Sequence, residues 1–150
     1  MNTLRHIFLQ VDTDSIIALW RINKDISKEQ VLAHTLIYNQ GGMALGSAVK
    51  DFNITAEPGD QITFTILPLQ LFSMNMLIFS EFLPEKQDDV VISNKGPVKG
   101  QSGFFITITE VKKDRSVEFD LTASFQFQQG GITETINICI DPMLRAKQGR

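Results

Sequence analysis

Two histidines, one cysteine and a few neighbouring carboxylates are the residues of this chain with the widest chemical scope. A Ser or Cys nucleophile needs a His base within reach. His6 falls in the alternating stretch "HIFLQV" and His34 opens "HTLIYN". Ser47, in "GGMALGSAVKD", follows Gly46 but lacks the second glycine of a nucleophile elbow. No glycine-rich loop closes on Lys-Ser or Lys-Thr, so a phosphate cradle is not expected. A blue-copper centre needs two His, a Cys thiolate and usually a Met near the end of the chain. Met143 follows Cys139 closely, but no histidine does. Calcium asks for about six to eight oxygens, and Asp12 and Asp14 supply too few. Capping of the turn that follows is the simpler use of that pair. We therefore expect no catalytic residue, no bound metal and no cofactor. Asp12, Asp14, Trp20 and Tyr38 are the ligand-binding candidates: carboxylates with the chain's only Trp and only Tyr.

Such residues must be held by something, and the signal that recurs is of period two. In "SVEFDLTASFQFQQ" Val117, Phe119, Leu121, Ala123, Phe125 and Phe127 alternate with Glu118, Asp120, Thr122, Ser124, Gln126 and Gln128. One face of such a strand is buried and the other wet, so Phe119 and Phe125 should point inward. Ile7, Leu9 and Val11 share a face, with Phe8 opposite; Phe104, Ile106 and Ile108 share another; Ile132, Ile136, Ile138 and Ile140 a third. "HTLIYN" and "SMNMLIFSEF" also read as strands. Turn signals separate the runs at Gly41-Gly42, Asn94-Lys95-Gly96-Pro97, Lys113-Asp114 and Gly130-Gly131. At Glu57-Pro58-Gly59-Asp60, proline fixes φ, glycine can take a positive φ and the Asp carboxylate can bond a nearby amide. That corner reads as a strand-entry turn. Helix is sparse: "TDSIIALWR", capped by Thr13 or Asp14, and "SKEQVLA", with Ser27 and Gln30 at capping-box spacing. Residues 84–103 read as a long connection around one short strand. The pattern predicts an all-β, antiparallel β-sandwich of about seven or eight strands, immunoglobulin- or jelly-roll-like, with at most one or two short helices. A closed barrel is the alternative. Residues 1–150 read as a single domain, with 143–150 as a flexible tail.

The run "LPLQLFSMNMLIFSEFL" departs from strict alternation and is apolar on both faces. A strand of that kind packs on the core by one face and on another layer by the other. Phe72, Met74, Met76 and Phe79 are accordingly the candidates for self-association, with adaptable Met side chains suited to such a contact.

Composition narrows the functions. The net charge of −3, from 14 basic and 17 acidic residues, lacks the basic surplus of a nucleic-acid binder. A single cysteine excludes an intramolecular disulfide and a Cys-rich zinc site. The N-terminus lacks the apolar core of a signal peptide, and no apolar run is long enough to span a bilayer. A soluble cytoplasmic protein is expected, without nucleic-acid or membrane partners.

Val11-Asp12-Thr13, Gly46, Asp51 to Ile54, Gly59-Asp60 and Asp141-Pro142 occur in an order that resembles the AidA/PixA-like inclusion-body protein family of bacteria. Phe64 and Ile140 stand where that family usually carries other aromatics, so only its fold and broad role are carried over. The resemblance implies a β-sandwich that accumulates in the cytoplasm, in some members as inclusions, with no established catalytic residues. The expectation is a non-enzymatic, self-associating protein, a homodimer in the first instance, that binds a small ligand or glycan. A lectin-like carbohydrate-binding module is the alternative, and a hydrolase the third class.

Overall fold

A computed structural model describes residues 4–39, 42–46, 49, 53–70, 75–85, 88–93, 97, 100–141 and 143–149. The chain runs β1 (Leu4–Val11), α1 (Thr13–Ile22), α2 (Lys28–Ala33), β2 (Thr35–Asn39), β3 (Gly42–Leu45), β4 (Asn53–Ala56), β5 (Gln61–Pro68), β6 (Ile78–Pro84), β7 (Val90–Ser93), β8 (Gly103–Val111), β9 (Arg115–Gln129), β10 (Ile132–Ile140) and β11 (Met143–Ala146). Six strands form one sheet in the order β3-β2-β1-β5-β8-β7. The other sheet is ordered β10-β9-β11-β4, with β6 along the opposite edge of β9.

The long alternating run folds as expected, with Val117, Phe119, Leu121, Ala123, Phe125 and Phe127 all buried. β10 and then β11 pair antiparallel with β9 in one continuous register, from Ile132 opposite Gln129 to Ala146 opposite Arg115. Gly130 and Gly131, at φ 59° and 80°, form the two-residue turn of this hairpin. Positive φ at both positions is what a turn matched to strand twist requires.

The helices are capped by their own sequence. The Asp12 carboxylate accepts from the Ser15 amide at 3.1 Å and caps α1, in place of Thr13 or Asp14. At α2, Ser27 Oγ accepts from the Gln30 amide while Gln30 Oε1 accepts from the Ser27 amide. Trp20 sets its ring edge-on to Phe127 at 5.3 Å and α2 packs on β10, so the helices cover one side of the sandwich. On another side Gln101 and Ser102 stitch the sheets together. The Ser102 carbonyl accepts from Ile66, the Gln101 carbonyl accepts from Phe79, and Ser102 Oγ donates to Leu77.

The Pro58-Gly59-Asp60 corner carries the chain from β4 in one sheet to β5 in the other. Asp60 N donates to Glu57 O at 3.0 Å, and Gly59 sits at φ 91°. This is a type II turn with Pro and Gly at its two central positions. The Asp60 side chain, 2% exposed, accepts from the Glu57 amide at 2.9 Å and from Arg5 Nε at 3.3 Å.

The inner faces of both sheets merge in one apolar core. At its centre Phe64 stacks on Phe104 at 5.1 Å, meets Phe119 edge-on at 5.7 Å and lies tilted to Phe82 at 6.3 Å. Such pairs add to simple burial.

Three features differ from the sequence reading. β1 pairs parallel with β5, and β4 parallel with β11, so both sheets are mixed rather than purely antiparallel. Parallel neighbours need a crossover, which between β1 and β5 includes both helices. Eleven strands are described, not seven or eight, because short pieces such as β3 and β7 carry too few residues for a clear period. The expected tail is β11: Leu144 and Ala146 are buried, Lys147 N donates to Ala56 O, and Gln148 Nε2 donates to Lys112 O.

Candidate functional site: the outer face of the six-stranded sheet

At the C-terminal end of β1, Asp12 gathers the densest polar network of the described residues. Its carboxylate accepts from Ser15 N, from Ser15 Oγ at 2.7 Å and from Gln70 Nε2. Thr13 Oγ1, fully buried, donates to Gln70 Oε1 and accepts from Asn75 Nδ2. The Asp12 amide donates to the His34 carbonyl at 2.9 Å. Burial pushes the Asp12 carboxyl up, but the bonds from Ser15 and Gln70, with the His34 charge, outweigh it and hold the group below its ordinary value. A carboxylate so fully engaged in capping has little left for a ligand.

The four ligand candidates do not converge. Asp14 stands exposed in the first turn of α1. Trp20, expected to offer its ring to a sugar, spends it on packing: it is in the core against Phe127, with Lys24 Nζ 5.0 Å from its ring centre. Tyr38 lies across the six-stranded sheet from that core, on the outward side, since its neighbour Ile37 points in.

The self-association candidates also separate. Phe72 and Met74 lie outside the described residues. Met76 is 69% exposed. Phe79, expected at an interface, is buried and meets Phe104 edge-on at 4.9 Å. The reason is register: Phe79 opposes Ala123, an inward position of β9.

Cys139 points to the outer side of the five-stranded sheet, opposite Thr122. Burial pushes its thiol up and the Asp120 charge adds to this, against smaller opposing effects of Lys28 and Thr122. It is a protonated, weakly nucleophilic thiol at neutral pH. An open cleft of about 780 Å³ between Pro84, Val90, Lys112 and Val117 carries Glu85 and Asp88 at its rim. Among the described residues, no group of three His, Cys, Asp or Glu is placed to hold a metal, and no helix is long and apolar enough to cross a membrane.

The outward residues of the six-stranded sheet are a different matter. The ring of His6 stacks on Phe8 at 4.0 Å, and Phe8 stacks on Tyr38 at 5.1 Å. His6 Nε2 lies 2.8 Å from Thr65 Oγ1. Cross-strand register extends the row: Phe8 opposes Tyr38, and Tyr38 opposes Met43. Beside it, Leu36 opposes Leu45. Met43 and Leu45 are 70% and 66% exposed. Among the described residues of β3, β2, β1 and β5, no Asp, Glu, Lys or Arg points to this side; Arg5 turns inward to Asp60. Sequence reasoning missed this surface. Its signal was Leu4 and Phe8 on the side of β1 opposite Ile7 and Leu9.

No family model and no curated protein sequence matches the chain. Among solved structures, the crystal structure of the inclusion body protein PixA from Burkholderia cenocepacia J2315 is similar, with a TM-score of 0.58 at 11% sequence identity. The match covers 99% of this chain and 97% of that one. The fold expected from the sequence resemblance is thus the fold found, and this chain shares its architecture with PixA from end to end.

Proposed function

We propose that this chain is a non-enzymatic, self-associating cytoplasmic protein of the inclusion-body kind. The observation that carries the reading is the cluster of Phe8, Leu36, Tyr38, Met43 and Leu45 on the outer side of β1, β2 and β3, with no described Asp, Glu, Lys or Arg among these strands' outward residues and with Met43 and Leu45 largely in water. Monomers seldom leave a broad apolar face open. The fold shared with a protein described as an inclusion body protein supports it, as do the motifs from Val11-Asp12-Thr13 to Asp141-Pro142. A net charge of −3 offers little repulsion between copies. Light scattering on the wild-type chain tests the reading. Assemblies larger than one copy are expected, and a monodisperse monomer at high concentration would refute it.

A lectin-like reading has one observation in its favour. The His6-Phe8-Tyr38 row is a ring platform with Thr63, Thr65 and Gln10 on the same side, and aromatic rings with neighbouring hydroxyls and amides suit a sugar face. A glycan array would show binding that Tyr38→Ala removes while the assembly state stays unchanged; no glycan signal from the wild type rejects this second reading.

A further inference from the structure

We propose that the outer face of the six-stranded sheet, from β3 across β2 and β1 to β5, packs against the same face of a second copy of this chain about a two-fold axis. The inference rests on the self-association reading and gives it a surface.

Three observations choose a second copy over other occupants. The first is charge. From β3 to β5 this face presents no described Asp, Glu, Lys or Arg, and His6 is its one titratable side chain besides Tyr38. Glu110 lies on β8 opposite Val91, while the outer side of the five-stranded sheet carries Glu81, Glu118, Asp120 and Arg145. Placing the uncharged faces together sends the charged ones to opposite ends of the pair, where repulsion between two chains of like sign is weakest. From β3 to β5 it also desolvates no Asp, Glu, Lys or Arg among the described residues. The second is size. With β8 included, three strands of eight or nine residues and two of four or five, at about 4.8 Å spacing, give a face about 25 Å wide that shortens toward β3, roughly 500–600 Å² in plan. Side-chain relief brings this to the scale of the ~800 Å² per partner in a standard interface. The third is chemistry. The most exposed groups beside the stacked rings are Met43 and Leu45, with Leu4 at the far end of β1. Thioether and isobutyl groups make no hydrogen bond to a sugar, whereas Met and Tyr are favoured in the centre of protein interfaces. A flat pleated face also matches its own copy, since sheets pack face to face about 10 Å apart.

Sedimentation velocity on the full chain tests the proposal. The wild type should sediment as a dimer at micromolar concentration. Met43→Glu and Leu45→Glu each place two like charges in the interface, because a two-fold contact uses every residue twice. Each should raise the dimer dissociation constant by about 100-fold or more with an unchanged circular dichroism spectrum. Gln126→Glu, on the outer side of the other sheet, should leave the dimer intact. An assembly that survives both Met43→Glu and Leu45→Glu but is broken by Gln126→Glu or Met76→Glu overturns this inference and leaves the self-association reading standing. A wild-type monomer at all concentrations overturns both. A monomer that gains mass only with added phospholipid vesicles or polysaccharide overturns both in favour of that occupant.

Discussion

The two sheets of this sandwich have similar inner faces and opposite outer ones. Inside, both contribute Ile, Leu, Val and Phe to a single core. Outside, the five-stranded sheet shows Glu118, Asp120, Thr122, Ser124, Gln126 and Gln128 along β9, a regular wet face. The six-stranded sheet shows rings, Leu and Met on its outward side. Strict alternation makes a strand that needs one partner layer. A strand such as β1, with Ile7 and Leu9 inward and Leu4 and Phe8 outward, has apolar side chains left to cover on its second side. The contrast separates the residues that fold the chain from those available for association.

The largest expected effect tests the shared interior. Phe64→Ala in β5 and Phe125→Ala in β9 should each cost about 3–5 kcal/mol in denaturant melts. If only one of them destabilised the chain, the two inner faces would not belong to one core. Next comes the corner that links the sheets. Asp60→Ala removes a buried acceptor from the Glu57 amide and from Arg5, and should cost about 1–3 kcal/mol. No loss of stability would mean that the corner is held by Pro58 and Gly59 alone. Smaller still, Gln126→Ala on the wet face should stay within about 0.5 kcal/mol of wild type. A loss as large as that of Phe125→Ala would show that the assigned register of β9 is wrong.

The smallest effect concerns acid. The bonds from Ser15 and Gln70 hold the folded-state pKa of Asp12 below its ordinary value. Its contribution is therefore fully present above the unfolded value and lost as pH falls through the folded one. Asp12→Asn should flatten the acid side of the stability curve below about pH 4, while leaving assembly unchanged. An unaltered acid limb would mean that the Ser15 and Gln70 bonds do not favour the ionised form.

Much of this was legible in the sequence. Alternation placed Val117 to Phe127 inward, the Ser27 and Gln30 spacing gave the capping box, and Gly130-Gly131 gave the hairpin turn. Strand direction was not legible, because a period of two fixes which face a residue takes but not which way its neighbour runs. Hence the parallel pairs of β1 with β5 and of β4 with β11. β11 was missed because its four residues offer only two inward side chains, one of them Ala146. Trp20 and Phe79 were misplaced for a related reason. A large aromatic marks burial or binding equally well until its neighbours Phe127 and Ala123 are known.

A pulsed spin-label distance between two copies tests the central claim most directly. In a Cys139→Ser background, labels at Met43→Cys report on the outer side of the six-stranded sheet and labels at Gln126→Cys on that of the five-stranded sheet. Four stacked layers about 10 Å apart put the two Gln126 positions roughly 30 Å or more from each other, with the two Met43 positions much closer, under about 20 Å. That ordering is the expected result. The reverse ordering, or no dipolar coupling at either position, would contradict the account.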